Sequence, residues 1–281
     1  MNNRKILKTL YKNKLATLGL LIVLTLVVVS VFAPAIAPHD PIEQNYGSTL
    51  LPPLSENHPL GTDALGRDIL SRIIYGTRYA LLIGVAVVSI EVLIGMLLGL
   101  TAGFYGGVVD NILMRLNDVM LAIPTIVLAL AIAGALGGGI TNMIIAIGVS
   151  GWREFARLAR GATLSIKEYT YIESARSIGA SNLRIIARHI IPNLVGPVIV
   201  FVSLYIPFAI LWSAALSFLG LGAQPPLPEW GAIIAGGRDY LATAWWIATF
   251  PGLAIMVTVL GFNFLGDGLR DALDPRLRGE N

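Results

Sequence analysis

The chain contains no cysteine among its 281 residues. A disulfide framework, a thiolate metal site and a cysteine nucleophile are therefore excluded. Charge is also scarce: 13% of residues are Asp, Glu, Lys or Arg, about half the share of a soluble domain. No G-x-x-x-x-G-K-[ST] segment occurs, so no P-loop is present to cradle a nucleotide phosphate. His39, His58 and His189 are scattered, with no pair at metal-ligand spacing. No serine–histidine–acid pattern is indicated. No catalytic, cofactor-binding or metal site is thus expected in this chain.

What is abundant is apolar sequence. Hydrophobic residues make up 55% of the chain, and uncharged stretches cover 15–38, 119–152 and 190–228, with apolar runs at 92–109 and 240–266. A membrane-spanning helix needs about 20 apolar residues, and helices are the spanning solution that satisfies the backbone of such runs. The expected fold class is an all-α membrane protein with six transmembrane helices. The passes are placed at about 15–37, 79–103, 111–134, 140–158, 193–219 and 245–266. The first could resemble a signal peptide, but 23 uncharged residues exceed a signal's apolar core of about 7–15, so it is read as a retained span. Domain limits follow: a cytoplasmic N-terminus 1–14, the first span 15–37, an extracytoplasmic loop 38–78, a membrane core 79–266 and a cytoplasmic tail 267–281.

Charge distribution orients the passes. Sixteen of the 20 Lys and Arg residues fall on one side: Arg4, Lys5, Lys8, Lys12, Lys14, Arg115, seven between Arg153 and Arg188, and Arg270, Arg276 and Arg278. Arg67, Arg72, Arg78 and Arg238 fall on the other. The positive-inside rule puts both termini and the 153–188 segment in the cytoplasm.

That segment ends in EYTYIESARSIGASNLRIIARHIIPNL, residues 168–194. It reads as a short helix around Glu173–Arg176, a turn at Gly179 and Ala180, and a second helix. Leu183, Ile185, Ile186, Ile190 and Ile191 are expected to form its apolar face. Pro192 suits the first turn of the next span. Helix, turn and helix on the cytoplasmic surface can fit a groove in a soluble partner.

The spacing resembles the signature of permease subunits of binding-protein-dependent ABC importers: EAA, three residues, G, nine residues, I, one residue, LP. Glu173, Ala175, Gly179 and Pro192 match it. Ser174 replaces Ala, His189 stands where Ile is usual, and Ile191 where Leu is. The resemblance implies a type I importer architecture whose loop at about 159–191 carries a coupling helix that docks on an ATPase. HPLGTDALGRDILSRIIYGTR (58–78) and GDGLRDALDPRLRG (266–279) are similar to the C-type subunit of dipeptide and oligopeptide permeases, a branch that also handles nickel chelates and oligosaccharides. Implied partners are a homologous second permease, two ATPase subunits that bind the ATP and Mg, an extracytoplasmic solute-binding protein and the lipid bilayer, with no nucleic acid. The implied location is a bacterial or archaeal cell membrane.

Other features are read from the residues alone. Asp63 or Asp68 can cap a helix, and Ile69, Leu70, Ile73 and Ile74 give it an apolar stripe, hence an amphipathic helix on the outer face. Glu91 falls inside the second span, where a carboxylate is a functional candidate by default; a structural or gating role is favoured over a proton relay. Gly84, Gly95 and Gly99 suggest close helix packing. Pro124, Pro207 and Pro251 suggest kinks. Asp118 is expected to pair locally near Arg115, and Trp245 and Trp246 to lie in an interfacial belt. The reading of another class is a stand-alone secondary transporter or channel, which tends to carry internal repeats; none is evident.

Overall fold

The computed structural model describes residues 13–273. The basic residues before Asn13 and the tail from Asp274, including Pro275, Arg276 and Arg278, lie outside the described residues. The described residues form helices joined by loops, with two isolated bridges and no strand.

Helix α1 (Lys14–Ile36) is capped by Asn13, whose side chain accepts from the N–H groups of Leu15 and Ala16. It buries only Ala16, Gly19 and Ala33, and packs along the last helix, α11 (Trp246–Leu273). The contact is close because it is made of glycine: a Cβ at Gly19 would lie 2.6 Å from the backbone nitrogen of Leu265. Without a hydrophobic drive between helices in lipid, such close approach supplies the attraction.

Asp68 caps α2 (Ile69–Tyr105), its carboxylate accepting from the Ser71 N–H at 2.7 Å. Residues 69–78 were expected to form a separate surface helix ahead of the span. They are instead the first turns of one continuous 37-residue helix. No proline or glycine pair breaks the chain between them, and Arg72 is buried rather than flanking, donating to the Pro41 carbonyl at 2.9 Å.

Helix α3 (Gly107–Leu121) and helix α4 (Thr125–Leu136) meet at an 86° bend. The expected third span is therefore broken at Pro124, which lacks an N–H for a helical bond. Helix α5 (Ile140–Gly151) is apolar but only 12 residues long. It passes through Trp152, itself in helical conformation, into α6 (Arg153–Lys167). Two short helices follow, α7 (Thr170–Ser177) and α8 (Asn182–Ile185). A π-helical turn, Ile186–Ile190, joins α8 to α9 (Ile191–Phe218). Helix α10 (Trp230–Gly237) is a short element before α11. Among the described residues, four helices are long and apolar enough to cross a membrane, and the bent α3–α4 pair makes a fifth if it is one span.

Helix α2 is the spine. It packs on α6, α9, α5 and α1. Trp246 departs from the expected interfacial belt: it is buried and donates its Nε1–H to the Thr62 carbonyl at 3.0 Å, pinning the loop between α1 and α2. Trp245 is half exposed.

Candidate functional site: the loop after α6 and its seat

Helix α7 ends in a glycine cap. Gly179 sits at φ +83°, its N–H donates to the Arg176 carbonyl at 2.9 Å, and the Ala180 N–H donates to the Ala175 carbonyl at 3.0 Å. These two bonds are those of a Schellman motif, which favours glycine at the left-handed position. Ser181 then caps α8, its Oγ accepting from the Arg184 N–H. The expected helix, glycine turn and helix are therefore present, and the turn follows directly from the Gly179 position.

The unit rests on a second apolar core, distinct from that of the membrane body. Ile172 of α7, Ile185 of α8, Ile190 of the π turn and Leu194 of α9 are buried against Leu100 and Phe104 of α2 and Ile166 of α6. Of the apolar face expected on the second helix, Ile185 and Ile190 face this core. Leu183 is 76% exposed, since two residues from the buried Ile185 it lies on the opposite side of the helix, and Ile191, beyond the π turn, is also exposed. Among the loop's signature residues, Ala175 is buried and Ala180 half-buried, whereas Glu173, Ser174, Arg176, Gly179 and Pro192 are exposed. The Arg176 guanidinium lies 5.5 Å from the Phe104 ring centroid, tying α7 to α2 by a cation–π contact. His189 stands 5.9 Å from the Tyr171 ring.

The seat is fixed by a glycine stripe. Gly95, Gly99 and Gly103 recur every four residues on one face of α2, and α6 lies on that face: a Cβ at Gly95 would be 2.5 Å from the Phe155 Cβ, and one at Gly103 2.8 Å from the Thr163 Cβ. Gly84, the first glycine singled out in sequence, faces Ile206 of α9 instead, at a looser 3.0 Å.

Three arginines of α6 hold α3. Arg160 makes a bidentate pair with Asp110, at 2.5 and 2.7 Å. Arg157 pairs with Asp118 at 3.2 Å, so Asp118 finds a partner on another helix rather than near Arg115. Arg153 donates to the carbonyls of Met120 and Ile123 and to the Thr125 hydroxyl, covering the backbone groups freed at the α3–α4 bend. A ladder of arginines at i, i+4 and i+7 places all three on one side of a helix. Their spacing was visible in sequence, but their partners, some 30 to 50 residues upstream, were not.

Glu91 is fully buried, and neither carboxylate oxygen has a hydrogen-bond partner. It lies against Gly151 at the end of α5, where any Cβ would collide with the carboxylate. Arg153, two residues beyond Gly151, is the cation whose charge acts on it.

These features define an all-helical membrane protein whose loop between α6 and α9 packs against its long helices. Residues 95–279 match the family described as binding-protein-dependent transport system inner membrane component. Residues 4–53 match the N-terminal transmembrane domain of oligopeptide transport permease C. The chain belongs to the family of inner membrane components of binding-protein-dependent transport systems. It is 43% identical over 279 residues to the probable D,D-dipeptide permease DdpC of Escherichia coli, covering 99% of this chain and 93% of that protein. It is 46% identical to the di/tripeptide permease DppC of Pseudomonas aeruginosa, covering 95% and 89%. It is 48% identical to the glutathione permease GsiD of Pectobacterium atrosepticum, covering 92% and 86%. A chain of the inward-facing MetNI methionine ABC transporter shares the fold, with a TM-score of 0.59 at 18% identity, covering 73% of this chain and 98% of that one.

Proposed function

We propose that this chain is one of two homologous permease subunits of an importer for di- or oligopeptides, driven by two partner ATPases that bind ATP and Mg and fed by an extracytoplasmic solute-binding protein. The chain itself contributes pathway and coupling geometry rather than chemistry. Six passes with both termini cytoplasmic, in a bacterial or archaeal cell membrane, complete the reading. On that count α5 with the start of α6 serves as the fourth pass.

The observation that carries it is the surface of the loop. Ile178 and Leu183 flank the Gly179 turn and are 86% and 76% exposed. They project beyond the buried Ile172–Ile185–Leu194 core. Two large apolar side chains held out on a rigid cap suit insertion into a groove of a partner. Through Arg176–Phe104 and the glycine stripe, a push on this cap is transmitted to α2 and α6 as units. Closure of the ATPases would then turn these helices and alternate the pathway between inward and outward facing. Peptide cargo is supported by the D,D-dipeptide, di/tripeptide and glutathione systems to which the similar permeases belong.

Affinity purification of the tagged chain from its native membrane tests the reading. An ATPase should co-purify, with hydrolysis stimulated by the binding protein loaded with peptide. Peptide or ion uptake by liposomes holding this chain alone would instead establish the stand-alone transporter. Stimulation only by a nickel chelate or an oligosaccharide would keep the importer and replace the cargo.

A further inference from the structure

At the end of α2 opposite the cytoplasmic loop, three side chains distant in sequence come together. His39 follows α1, His58 lies in the second half of the α1–α2 loop, and Asp68 caps α2. The two imidazole rings stack with centroids 4.7 Å apart and planes 26° from parallel. Each turns its Nδ1 towards Asp68: His58 Nδ1 is 2.9 Å from Oδ1, and His39 Nδ1 is 3.8 Å from Oδ2. Sequence spacing left these residues apart; the fold converges them because the loop is tied back onto α2. The His39 N–H donates to the Ser71 Oγ at 3.0 Å, and Arg72 donates to the Pro41 carbonyl.

The cluster is incomplete as a hydrogen-bond network. His39 Nδ1 is buried and has no hydrogen-bond partner, since 3.8 Å is beyond hydrogen-bond reach. Asp68 is nearly inaccessible, yet among the described residues no lysine or arginine pairs with it; Arg67 and Arg72 turn to Asp63. Its Oδ1 is hydrogen-bonded to the His58 ring and its Oδ2 accepts from Ser71, so the buried charge is held by imidazole and serine without a lysine or arginine, and buried charges are paired or coordinate metals.

We propose that His39, His58 and Asp68 bind a divalent transition-metal ion of the zinc class. One donor atom from each lies within 4.8 Å of the other two. For bonds of about 2.0–2.1 Å, ligand atoms stand about 3.4 Å apart at a tetrahedral angle, so three donor atoms within 4.8 Å of one another close on one ion by small side-chain rotations. Two imidazoles and one carboxylate select zinc, nickel, cobalt or copper over magnesium and calcium, which prefer oxygen donors. The outer shell is built. Ser71 donates both its N–H and its hydroxyl to Asp68 Oδ2, at 2.7 and 2.8 Å, orienting the carboxylate. The three side chains line a cavity of about 370 Å³ together with Asp40, Glu43 and Glu56, an acidic mouth suited to admitting a cation. The ion ties the end of α1, the middle of the loop and the start of α2 at one point.

The test uses the purified complex in nanodiscs, stripped with EDTA and titrated with Zn2+, then with Cu2+ for electron paramagnetic resonance. Binding is the readout, so the result does not depend on the cargo or on transport. The wild type should retain about one Zn2+ more per copy of this chain than H39A/H58A, and each single His→Ala change should weaken that site at least about 10-fold. The Cu2+ spectrum should show coupling to two imidazole nitrogens, and H39Q should remove one. D68N, in which asparagine still caps α2, should lower affinity without loss of assembly. Equal zinc content in assembled wild type and H39A/H58A would overturn the proposal. So would a Cu2+ spectrum without imidazole coupling, a result that stands even if the double variant fails to assemble.

Discussion

Gly99 of α2 touches the backbone of α6 directly: a Cβ added there would run into the carbonyl oxygen of Ala156. Backbone cannot move aside as a flexible side chain can, so the two helices must separate to accept any larger residue. Gly99→Val is expected to destabilise the α2–α6 pair by about 3 kcal/mol, the upper part of the range for overpacking. Proteolysis of membranes should show a protected wild type and a cleaved variant. Gly196→Ala, in α9 with open space around it, is the control and should behave as wild type or slightly better.

Gly179 is different, since nothing lies within 4 Å of an added Cβ. Its φ of +83° alone makes a substitution strained. Gly179→Val should cost about 1–2 kcal/mol locally, too little to unfold the membrane body but enough to release the Schellman bonds that set the angle between α7 and α8. The expected result is normal insertion and assembly with transport-coupled ATPase activity lost. Asparagine tolerates the left-handed conformation better, so Gly179→Asn should keep more coupling than Gly179→Val. Full coupling in both variants would remove the role given to this turn.

Much of this was legible in the sequence, for reasons that differ between residues. Gly179 was readable because one residue type meets a local backbone demand. Gly95 and Gly99 were readable because a four-residue spacing repeats along one helix face. The α3–α4 bend was readable only as a kink at Pro124, since an 86° turn depends on Arg153 satisfying carbonyls from a distant helix. The continuity of 69–78 with α2 was missed because an amphipathic start and an apolar continuation look like two elements, although no breaker separates them. The His39–His58 contact was missed outright. Nothing local forecasts a loop folding back over 19 residues, which here depends on Trp246 and Arg72 gripping its backbone.

The exposed and buried sides of the loop predict opposite phenotypes. Ile178 and Leu183 project into solvent in this chain, so Ile178→Ser with Leu183→Ser should change its stability by no more than about 0.5 kcal/mol. If these side chains enter a groove on the ATPase, the same change should strip the ATPase during purification. Ile172 is fully buried between α2, α6 and α8. Ile172→Ser should therefore destabilise the chain by several kcal/mol, combining lost burial with an added polar group, and lower its abundance in the membrane. Retained ATPase in the double exposed variant would move the docking surface elsewhere.

Glu91 separates a structural carboxyl from a proton-carrying one. Its side chain fills the space left by the missing Cβ of Gly151, and neither oxygen is hydrogen-bonded. Shape is what the fold uses, and a carboxylate charge without a hydrogen bond in the membrane interior is a cost. Glu91→Gln keeps the shape and removes the charge, so assembly and peptide-stimulated ATPase activity should stay within about twofold of wild type, and a neutral replacement of a buried charge can even stabilise. Glu91→Ala keeps neutrality but opens a void at the α2–α5 contact, and should cost about 2 kcal/mol or more. Thermal melting of the purified complex should rank wild type and Glu91→Gln together, above Glu91→Ala. A Glu91→Gln complex that melts as wild type yet has lost all transport would show that the proton on this carboxyl takes part in the cycle, and the structural role would fall.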